Sequence, residues 1–379
     1  MGAQAKQQVR VLVVGSGVAA LEFVLAAHKV AEERLHCTIV TPQEIFSYRP
    51  ASVAVPFGQA EVFRYPLAGI ADAAGAEIRH SRVSAVDTAR RVARLEDGDE
   101  LDYDALVIAT GARRVPVLDE AITFRGEEDI PQIELLLDDI DRRHVHRVAF
   151  ALPAGATWPL PLYELALLTS AHVAKQPFRS SVSISFVTPE HEPLAVFGGE
   201  ASATVKRLLD ERGIELHTGT HPASLTGGRL VLVPPGTLDA DRVVCMPAAR
   251  GTPIPGLPHD FEGFIPVDAY GRAGDAPDVY AIGDATNRPI KQGGIAAEQA
   301  DHLAQLLAHQ AGAPVDEPPR YAPTLKGLLL TGEEPQYLQA EPTGGHGASA
   351  TISSEPLWWP GGKIAAPHLA SHLVRAARS

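Results

Sequence analysis

The sequence predicts an α/β protein made of two Rossmann-like, three-layer domains and a small C-terminal segment. Three observations predict it. The chain has 379 residues, more than one ordinary core accommodates. It opens on a strand-turn-helix pattern, "VRVLVVGSGVAALEFVLAAHKV". The pattern restarts at "HRVAFAL", and the second strand of each half ends alike, in "IVTPQE" and "FVTPEH". Two βαβ units of this kind point to a duplicated domain. The expected division is 1–115 with 265–320 for the first domain, 116–264 for the second and 321–379 for the C-terminal segment.

In order along the chain, residues 9–14, apolar but for Arg10, form a buried-strand run, and 18–30 carry helical spacing. "CTIVTPQ" is the next strand. "EIRHSRVSAVD" and "RVARLED…ELDYDALVIATGA" read as further strands and a hairpin closing at Gly111. Residues 113–129 are polar and read as a linker. "HRVAFAL", "LPLYELALLTSAHV" and "SVSISFVTPE" then give strand, helix, strand. "GEASATVKRLLDERGI" is a helix with Gly213 as its stop signal. "RLVLVP" and "DRVVCMP" follow as strands. "APDVYAIGDATNRPIKQGGIAAEQADHLAQLLAHQ" reads as strand, loop and long helix. The tail from Tyr321 is rich in Pro and Gly.

Composition narrows the function. Lys and Arg number 33 against 46 Asp and Glu, a net charge of −13. That balance argues against nucleic acid, whose backbone needs clustered cations. The two cysteines, Cys37 and Cys245, both lie in strand-like runs with no C-x-x-C or Cys/His cluster. A structural zinc or a redox disulfide is therefore not expected, no metal site is assigned, and two buried reduced thiols are. Reduced thiols imply a reducing, cytoplasmic compartment. Residues 9–27 are interrupted by Gly15, Ser16, Gly17 and Glu22, unlike a signal sequence. No apolar run is long enough to span a bilayer.

The first turn, Gly15-Ser16-Gly17-Val18-Ala19-Ala20, is G-x-G-x-x-A. Gly15 permits the tight turn, Gly17 lets a pyrophosphate approach the backbone, and Ala20 permits close helix-strand packing. The helix start offers N–H groups to phosphate. No acid for the ribose stands at the next strand end, where Thr41 and Pro42 lie. Glu44, the nearest carboxylate, is either that acid or a solvated loop residue. "VIATGA" ends a strand in Thr110-Gly111, and "VYAIGDATN" ends one in Gly283-Asp284. A carboxylate there can accept from a polyol hydroxyl. The helix from Gly294 can direct N–H groups at a developing negative charge. This arrangement suits FAD.

On "VVGSGVAA", "IFSYRPA", "LVIATGA", "PLYELAL" and "VYAIGDATNRPIKQGGIAAEQA", the chain resembles the flavoproteins with two dinucleotide-binding domains. Within them it is similar to the group of sulfide:quinone oxidoreductases, flavocytochrome c sulfide dehydrogenases and type II NADH dehydrogenases. The resemblance implies FAD contacts at Gly15, Gly17, Thr110, Gly111, Gly283 and Asp284. It also puts Val18, Ala19, Thr41, Pro42, Ala109, Gly294 and Ile295 at the cofactor. Backbone at Val83 would flank the adenine. Phe46, Tyr48, Arg49 and Pro50 would approach the flavin, and Lys291 its pyrimidine end or a quinone.

The second turn, "FALPAGATWPLPLYE", departs from both patterns of that group. It has one glycine, Gly155, and prolines 153, 159 and 161, which lack the N–H donors a pyrophosphate uses. Where sulfide oxidoreductases carry a flavin-attacking cysteine, Trp158 stands. The second sulfide-active cysteine is also missing from "LKGLLLTGEE", and no thiolate means no persulfide. Trp158 either shapes a donor pocket over the flavin or fills the domain interface. Glu164 matches a glutamate beside the flavin in relatives. It is read either as a proton carrier with raised pKa or as a capping or surface acid. Glu190 either holds a ribose or is a surface loop acid. In the tail, Trp358-Trp359-Pro360 precedes a short helical pattern. Ala365, Leu369 and Leu373 share one face, with Ala370, Val374 and Ala377 beside it. Lys363, Arg375 and Arg378 are basic. This segment is either an interfacial membrane contact or packing on its own domain or a dimer mate.

The expected activity is an FAD-dependent oxidoreductase of the sulfide:quinone oxidoreductase type, with Glu164, Lys291 and Trp158 at the reacting centre. Its partners would be an unidentified small-molecule donor and a quinone, with peripheral contact on the inner face of the membrane and a homodimer both open. The rival readings are an NAD(P)H-dependent reductase with a degenerate nucleotide site and a non-catalytic flavin-binding partner.

Overall fold

The computed structural model describes residues 8–276, 278–341 and 350–376. Along the chain, the strands used below are β1 (Val9–Val14), β2 (Leu35–Val40), β3 (Glu77–Arg79), β4 (Ala105–Ile108), β5 (Ile122–Thr123), β6 (Arg147–Ala151), β7 (Ser183–Val187), β8 (Ile214–His217), β9 (Arg242–Cys245), β10 (Val279–Ala281), β11 (Leu325–Leu329), β12 (Gln336–Ala340) and β13 (Thr351–Ser353). The helices are α1 (Val18–Ala31), α2 (Leu160–Ala174), α3 (Gly199–Glu211), α4 (Gly293–Gln310) and α5 (Pro367–Ala376).

The first sheet is all parallel, in the order β10-β4-β1-β2-β3. Alternate residues of β1 face opposite sides. Val11 and Val13 pack with α1, α4 and α5, whereas Leu12 and Val14 pack with Val40, Leu106, Ile108 and Val279 on the other face. Burial on both faces is why this strand reads as an unbroken apolar run from Val11 onward. The second sheet, β5-β9-β6-β7-β8, is also parallel. Its face at Val148 and Phe150 packs on α2 and α3. The two-domain α/β architecture expected from the duplicated pattern is present.

Residues 113–129, read from their polarity as a linker, carry ladder pairs. Arg113–Val115 pairs antiparallel with Ala248–Arg250, and β5 pairs with β9. Both strands are too short to show a hydrophobic period, and Arg113–Val115 is exposed throughout. Gly213 ends α3 in the left-handed region, φ 64°, as its stop signal implied. Cys37 and Cys245 are buried on β2 and β9, and burial pushes both thiols up to about 12. After α4, strands β11, β12 and β13 form an antiparallel sheet.

The tail helix agrees with one of the two readings left open, packing on its own domain. Leu369 and Leu373 of α5 are buried in the core of the first domain, with Ile364 and Ala366. Its apolar face is therefore spent on the protein's own α1 and α4, not held free for a lipid surface. Trp358 is tied down by its indole N–H to Gly362 O (3.1 Å) and by an edge contact with Tyr337. Trp359 is 82% exposed. Ala377 and Arg378 lie outside the described residues. Among the described residues no helix is long and apolar enough to cross a membrane.

Candidate functional site

Because the first sheet is parallel, the ends of β1, β2, β4 and β10 open on one edge. That edge gathers Gly15–Gly17, Thr41-Pro42, Ala109–Gly111 and Gly283-Asp284. Gly15 has φ +120° and donates to Val40 O at 2.9 Å. A Cβ there would sit 2.3 Å from Ala109 O, so only glycine closes this turn. A Cβ on Gly17, by contrast, would meet nothing within 4 Å. Gly17 is exposed at the start of α1, the place where a pyrophosphate meets helix N–H groups. Gly283 has φ +67°, and a Cβ there would lie 2.9 Å from Ala19 Cβ and 3.3 Å from Ala296 Cβ. It lets α1 and α4 start side by side. These glycines and the open turn fit a dinucleotide.

Thr41 has a different job from the one expected. It is buried, and its Oγ1 contacts Ser16 Oγ at 2.8 Å and accepts from Gln43 N at 3.2 Å. It braces the turn. Pro42 and Glu44 beside it are exposed. Ala109 is buried and its N–H bonds Val14 O, which leaves Thr110 and Gly111 at the rim. Val83 is half-buried against the cluster that holds Val14 and Val40.

Asp284 is half-buried and accepts no hydrogen bond among the described residues. Burial raises its pKa, while the charges of Arg114 and Lys291 oppose that rise. A carboxylate so placed is a ready acceptor for a polyol hydroxyl. Lys291 is 9% exposed. Its Nζ donates to Thr286 O and stands 3.7 Å from the centre of the Phe264 ring. Burial, against the pull of Asp284, Asp260 and Glu262, lowers its pKa to about 8. Its backbone N–H reaches Thr157 O of the second turn at 3.4 Å. The Gly294–Ile295 expectation is half corrected. The Ile295 N–H is capped by Gln292 Oε1 at 2.7 Å, and the Ile295 side chain packs into the second domain's core. It does not offer its amide to a cofactor.

Phe46 is also turned away from the edge, buried in the first core. Tyr48 is held through Ile364, and burial raises its phenol to about 12. Arg49 is exposed and repels Arg114. Pro50 starts the 3-10 turn Arg49–Val53.

In the second domain, Glu190 is not a surface loop acid. It is half-buried, and its Oε2 accepts from Tyr163 OH at 2.6 Å and Thr188 Oγ1 at 2.9 Å. The Tyr163 ring stacks on Phe186 at 4.1 Å. At the strand-end position where a nucleotide-binding Rossmann turn keeps its ribose acid, one carboxylate oxygen is thus already engaged from within. Trp158 is half-buried, with its ring 5.9 Å from Phe197. Phe197 in turn lies against Gly327 of β11, where a Cβ would meet Phe197 Cζ at 2.7 Å. The indole thus packs in the second domain while keeping a partly open face.

Glu164 is fully buried, which removes the reading of a capping or surface acid. Its Oε1 accepts from Leu330 N at 2.9 Å and from Lys363 Nζ, which also donates to Leu328 O at 2.6 Å. Its Oε2 is buried with no partner among the described residues. Burial raises the Glu164 pKa and Lys363 opposes the rise. Burial lowers the Lys363 pKa and Glu164 opposes the fall. Lys363 was expected on a basic surface face; it is instead an internal ion-pair partner. Sequence reasoning also missed Arg114, hidden in the apparent linker. Its position three residues after Gly111 was the one available signal.

Residues 9–145 and 166–300 match the family described as pyridine nucleotide-disulphide oxidoreductase. The chain is 30% identical over 231 residues to a probable ferredoxin reductase of Castellaniella defragrans, covering 56% of this chain and 51% of that one. It therefore spans about half of that relative. It is 26% identical over 330 residues to an NADH dehydrogenase-like protein of Mycobacterium tuberculosis, covering 83% and 78%. The structure of the sulfide:quinone oxidoreductase of Aquifex aeolicus superposes with TM-score 0.78 at 19% identity, covering 91% and 86%. With glycines and an unpaired aspartate fitted to a dinucleotide on one sheet edge, and the family match over both domains, the chain belongs to the pyridine nucleotide-disulphide oxidoreductase family, a family of FAD-binding proteins.

Proposed function

We propose that this chain is a flavin oxidoreductase of the sulfide:quinone oxidoreductase type with an altered donor site. It takes electrons from a small-molecule donor other than sulfide or nicotinamide and passes them to a quinone. The observation that carries this reading is the second turn. Glu190 Oε2 is engaged by Tyr163 and Thr188; Cys37 is buried on β2, and Cys245 is buried on β9 in register with Ala151 at the foot of the turn, its thiol pushed up to about 12 by burial. Neither a nicotinamide nucleotide nor a persulfide has the groups it would need there.

FAD, when bound, supplies the two-electron chemistry. The protein's own residues do the rest. Gly15 and Gly17 let the phosphates reach the start of α1, and Asp284 accepts a hydroxyl. Lys291, whose Nζ is held by Thr286 O and the Phe264 ring, would supply a cation to stabilise negative charge on the bound cofactor in a water-poor setting. Glu164 and Lys363 hold one proton between them inside the protein, with Glu164 Oε2 as the atom free to receive or give it. Residues 1–115 with 265–320 would hold the flavin, 116–264 the donor side and 321–379 the closing segment.

The names of the relatives favour one rival, reduction by NAD(P)H with a ferredoxin or quinone acceptor. Anaerobic stopped-flow of the flavin-loaded protein separates the two. NADH and NADPH at millimolar concentration should bleach the flavin far more slowly than turnover with the true donor. Full bleaching within milliseconds would replace our reading with the rival.

A further inference from the structure

The C-terminal strap, 356–376, crosses both domains. Gly362 approaches Tyr48, and Ile364 Cδ1 would lie 2.8 Å from a Cβ on Gly293 at the start of α4. Lys363 reaches Glu164 of α2. The strap ends on α5, whose first turn stands over a carboxyl pair from two other helices, Glu22 of α1 and Asp301 of α4. Glu22 is fully buried. Its Oε1 accepts from His368 N at 2.9 Å and its Oε2 from Leu369 N at 2.6 Å. A carboxylate oxygen of Asp301 lies within 4.8 Å of one of Glu22, and Asp301 Oδ1 is buried with no partner among the described residues. None of this is used by the chemistry proposed above.

We propose that Glu22 and Asp301 share one proton and act as a latch that seats the strap, making them positioning residues for the Glu164–Lys363 pair. Two carboxyls in contact cannot both be ionised without strong repulsion, so one carries a proton. The hydrogen bonds assign it. Glu22 takes two backbone N–H bonds at a helix N-terminus, both of which favour its anion. Asp301 has no such donors, so the proton resides on Asp301 and points at Glu22. The facing charges are few. Lys29 of α1 favours ionised Asp301, Glu298 of α4 opposes it, and His368 Nε2 stands 3.7 Å from Asp301 Oδ1. Burial and Lys29 hold His368 below its usual pKa, so it stays neutral above about pH 6.5.

The sign follows from the proton. Burial and Glu22 raise Asp301 to about 8. A seated strap thus binds a proton that an open strap releases. Seating is tightest at the acid end and weakens as pH rises from about 4 towards 8, after which it levels off. The link to Lys363 rests on the function proposed above; the latch itself does not, and its test needs no donor or acceptor.

The test is amide hydrogen exchange on the flavin-loaded protein, read as protection factors at His368 and Leu369, with the rate of Lys363 acylation by an amine-reactive ester measured beside it. In the wild type, protection should fall about tenfold or more from pH 5.5 to pH 8. Asp301→Asn, which keeps a donor towards Glu22 and cannot ionise, should abolish that fall and react more slowly at Lys363 than wild type at pH 8. Glu22→Gln should lose about tenfold protection at every pH and acylate faster at Lys363. Exchange and acylation in Glu22→Gln within twofold of wild type would overturn the latch. An Asp301→Asn variant less protected than wild type at pH 8 would overturn the shared proton. Strap opening with unchanged Lys363 acylation would overturn the positioning role.

Discussion

Lys363→Met tests whether the charge of Glu164 is held by the strap. Lys363 Nζ serves two acceptors, Glu164 Oε1 and Leu328 O. The variant leaves a buried carboxylate with one N–H, from Leu330, and an oxygen that already lacks a partner. Removing one member of a buried pair costs about 3–5 kcal/mol. Protonation of Glu164 sets a ceiling. Holding a carboxyl neutral at pH 7 against an unfolded pKa near 4.3 costs roughly 1.36 kcal/mol for each of about 2.7 units, or about 3.7 kcal/mol. The lost bond to Leu328 O adds about 1 kcal/mol. The expected loss is therefore about 4–5 kcal/mol at pH 7, shrinking to about 2 kcal/mol at pH 5, where neutral Glu164 costs roughly 1 kcal/mol. The sign is that of a carboxyl with raised folded pKa, favoured at low pH and penalised as pH rises. Urea unfolding of the flavin-loaded protein, followed by circular dichroism and tryptophan fluorescence, measures both. Glu164→Gln/Lys363→Met should lose less than Lys363→Met alone at pH 7. A single-variant loss below about 1 kcal/mol at pH 7, or one independent of pH, refutes the reasoning.

Gly15→Ala should yield a protein with little or no bound flavin, because its Cβ would lie 2.3 Å from Ala109 O at φ +120°; the visible spectrum reads the loss, with roughly 2–4 kcal/mol of stability. Lys291 loses its proton through about pH 8 instead of 10.5, so acceptor reduction should slow as pH rises past 8, and Lys291→Met should erase that limb. The buried cation is a stability cost present below pH 8 and relieved between 8 and 10.5. Sulfide should fail to support quinone reduction at about 1 per second or faster, and Trp158→Cys should not restore it, since β11 offers no second thiol. Turnover by either protein with sulfide at that rate removes the altered-donor reading.

Local pattern made the fold and its glycine turns legible. Gly15, Gly17 and Gly283-Asp284 sit directly after strands, so a run of apolar residues followed by glycine announced both the strand and its turn. Thr41 and Ile295 were harder. Each lies where a cofactor contact is expected, but each amide or hydroxyl is taken by a neighbour, Ser16 in one case and Gln292 in the other. Spacing fixes where a residue stands, not which partner claims its hydrogen bond. Arg114 was missed for a related reason. Its strand is three residues long and exposed, with no period to read.

Glu164 shows the limit most sharply, and its pairing carries a functional argument. The helix start was legible from "PLYELAL", but the partner lies 199 residues away, in a Pro- and Gly-rich segment with no apolar repeat. Nothing local could announce a bond that forms only when the strap closes over both domains. A core under selection for stability alone has little use for such a pair, since apolar residues of the same volume usually serve as well or better. The chain nevertheless keeps a fully buried carboxylate, leaves one of its oxygens without a partner, and brings a lysine from the far end of the sequence to meet it. A proton site explains all three features: the free oxygen is where a proton lands, and the lysine keeps the carboxylate ionised enough to receive it. Glu164→Gln in the flavin-loaded protein, which replaces the carboxylate by an amide of the same size, should lower the acceptor reduction rate by about 10²–10⁴-fold and, because it leaves the buried Lys363 cation without its counter-charge, cost about 3–5 kcal/mol of stability. An unchanged rate would return the pair to a structural role.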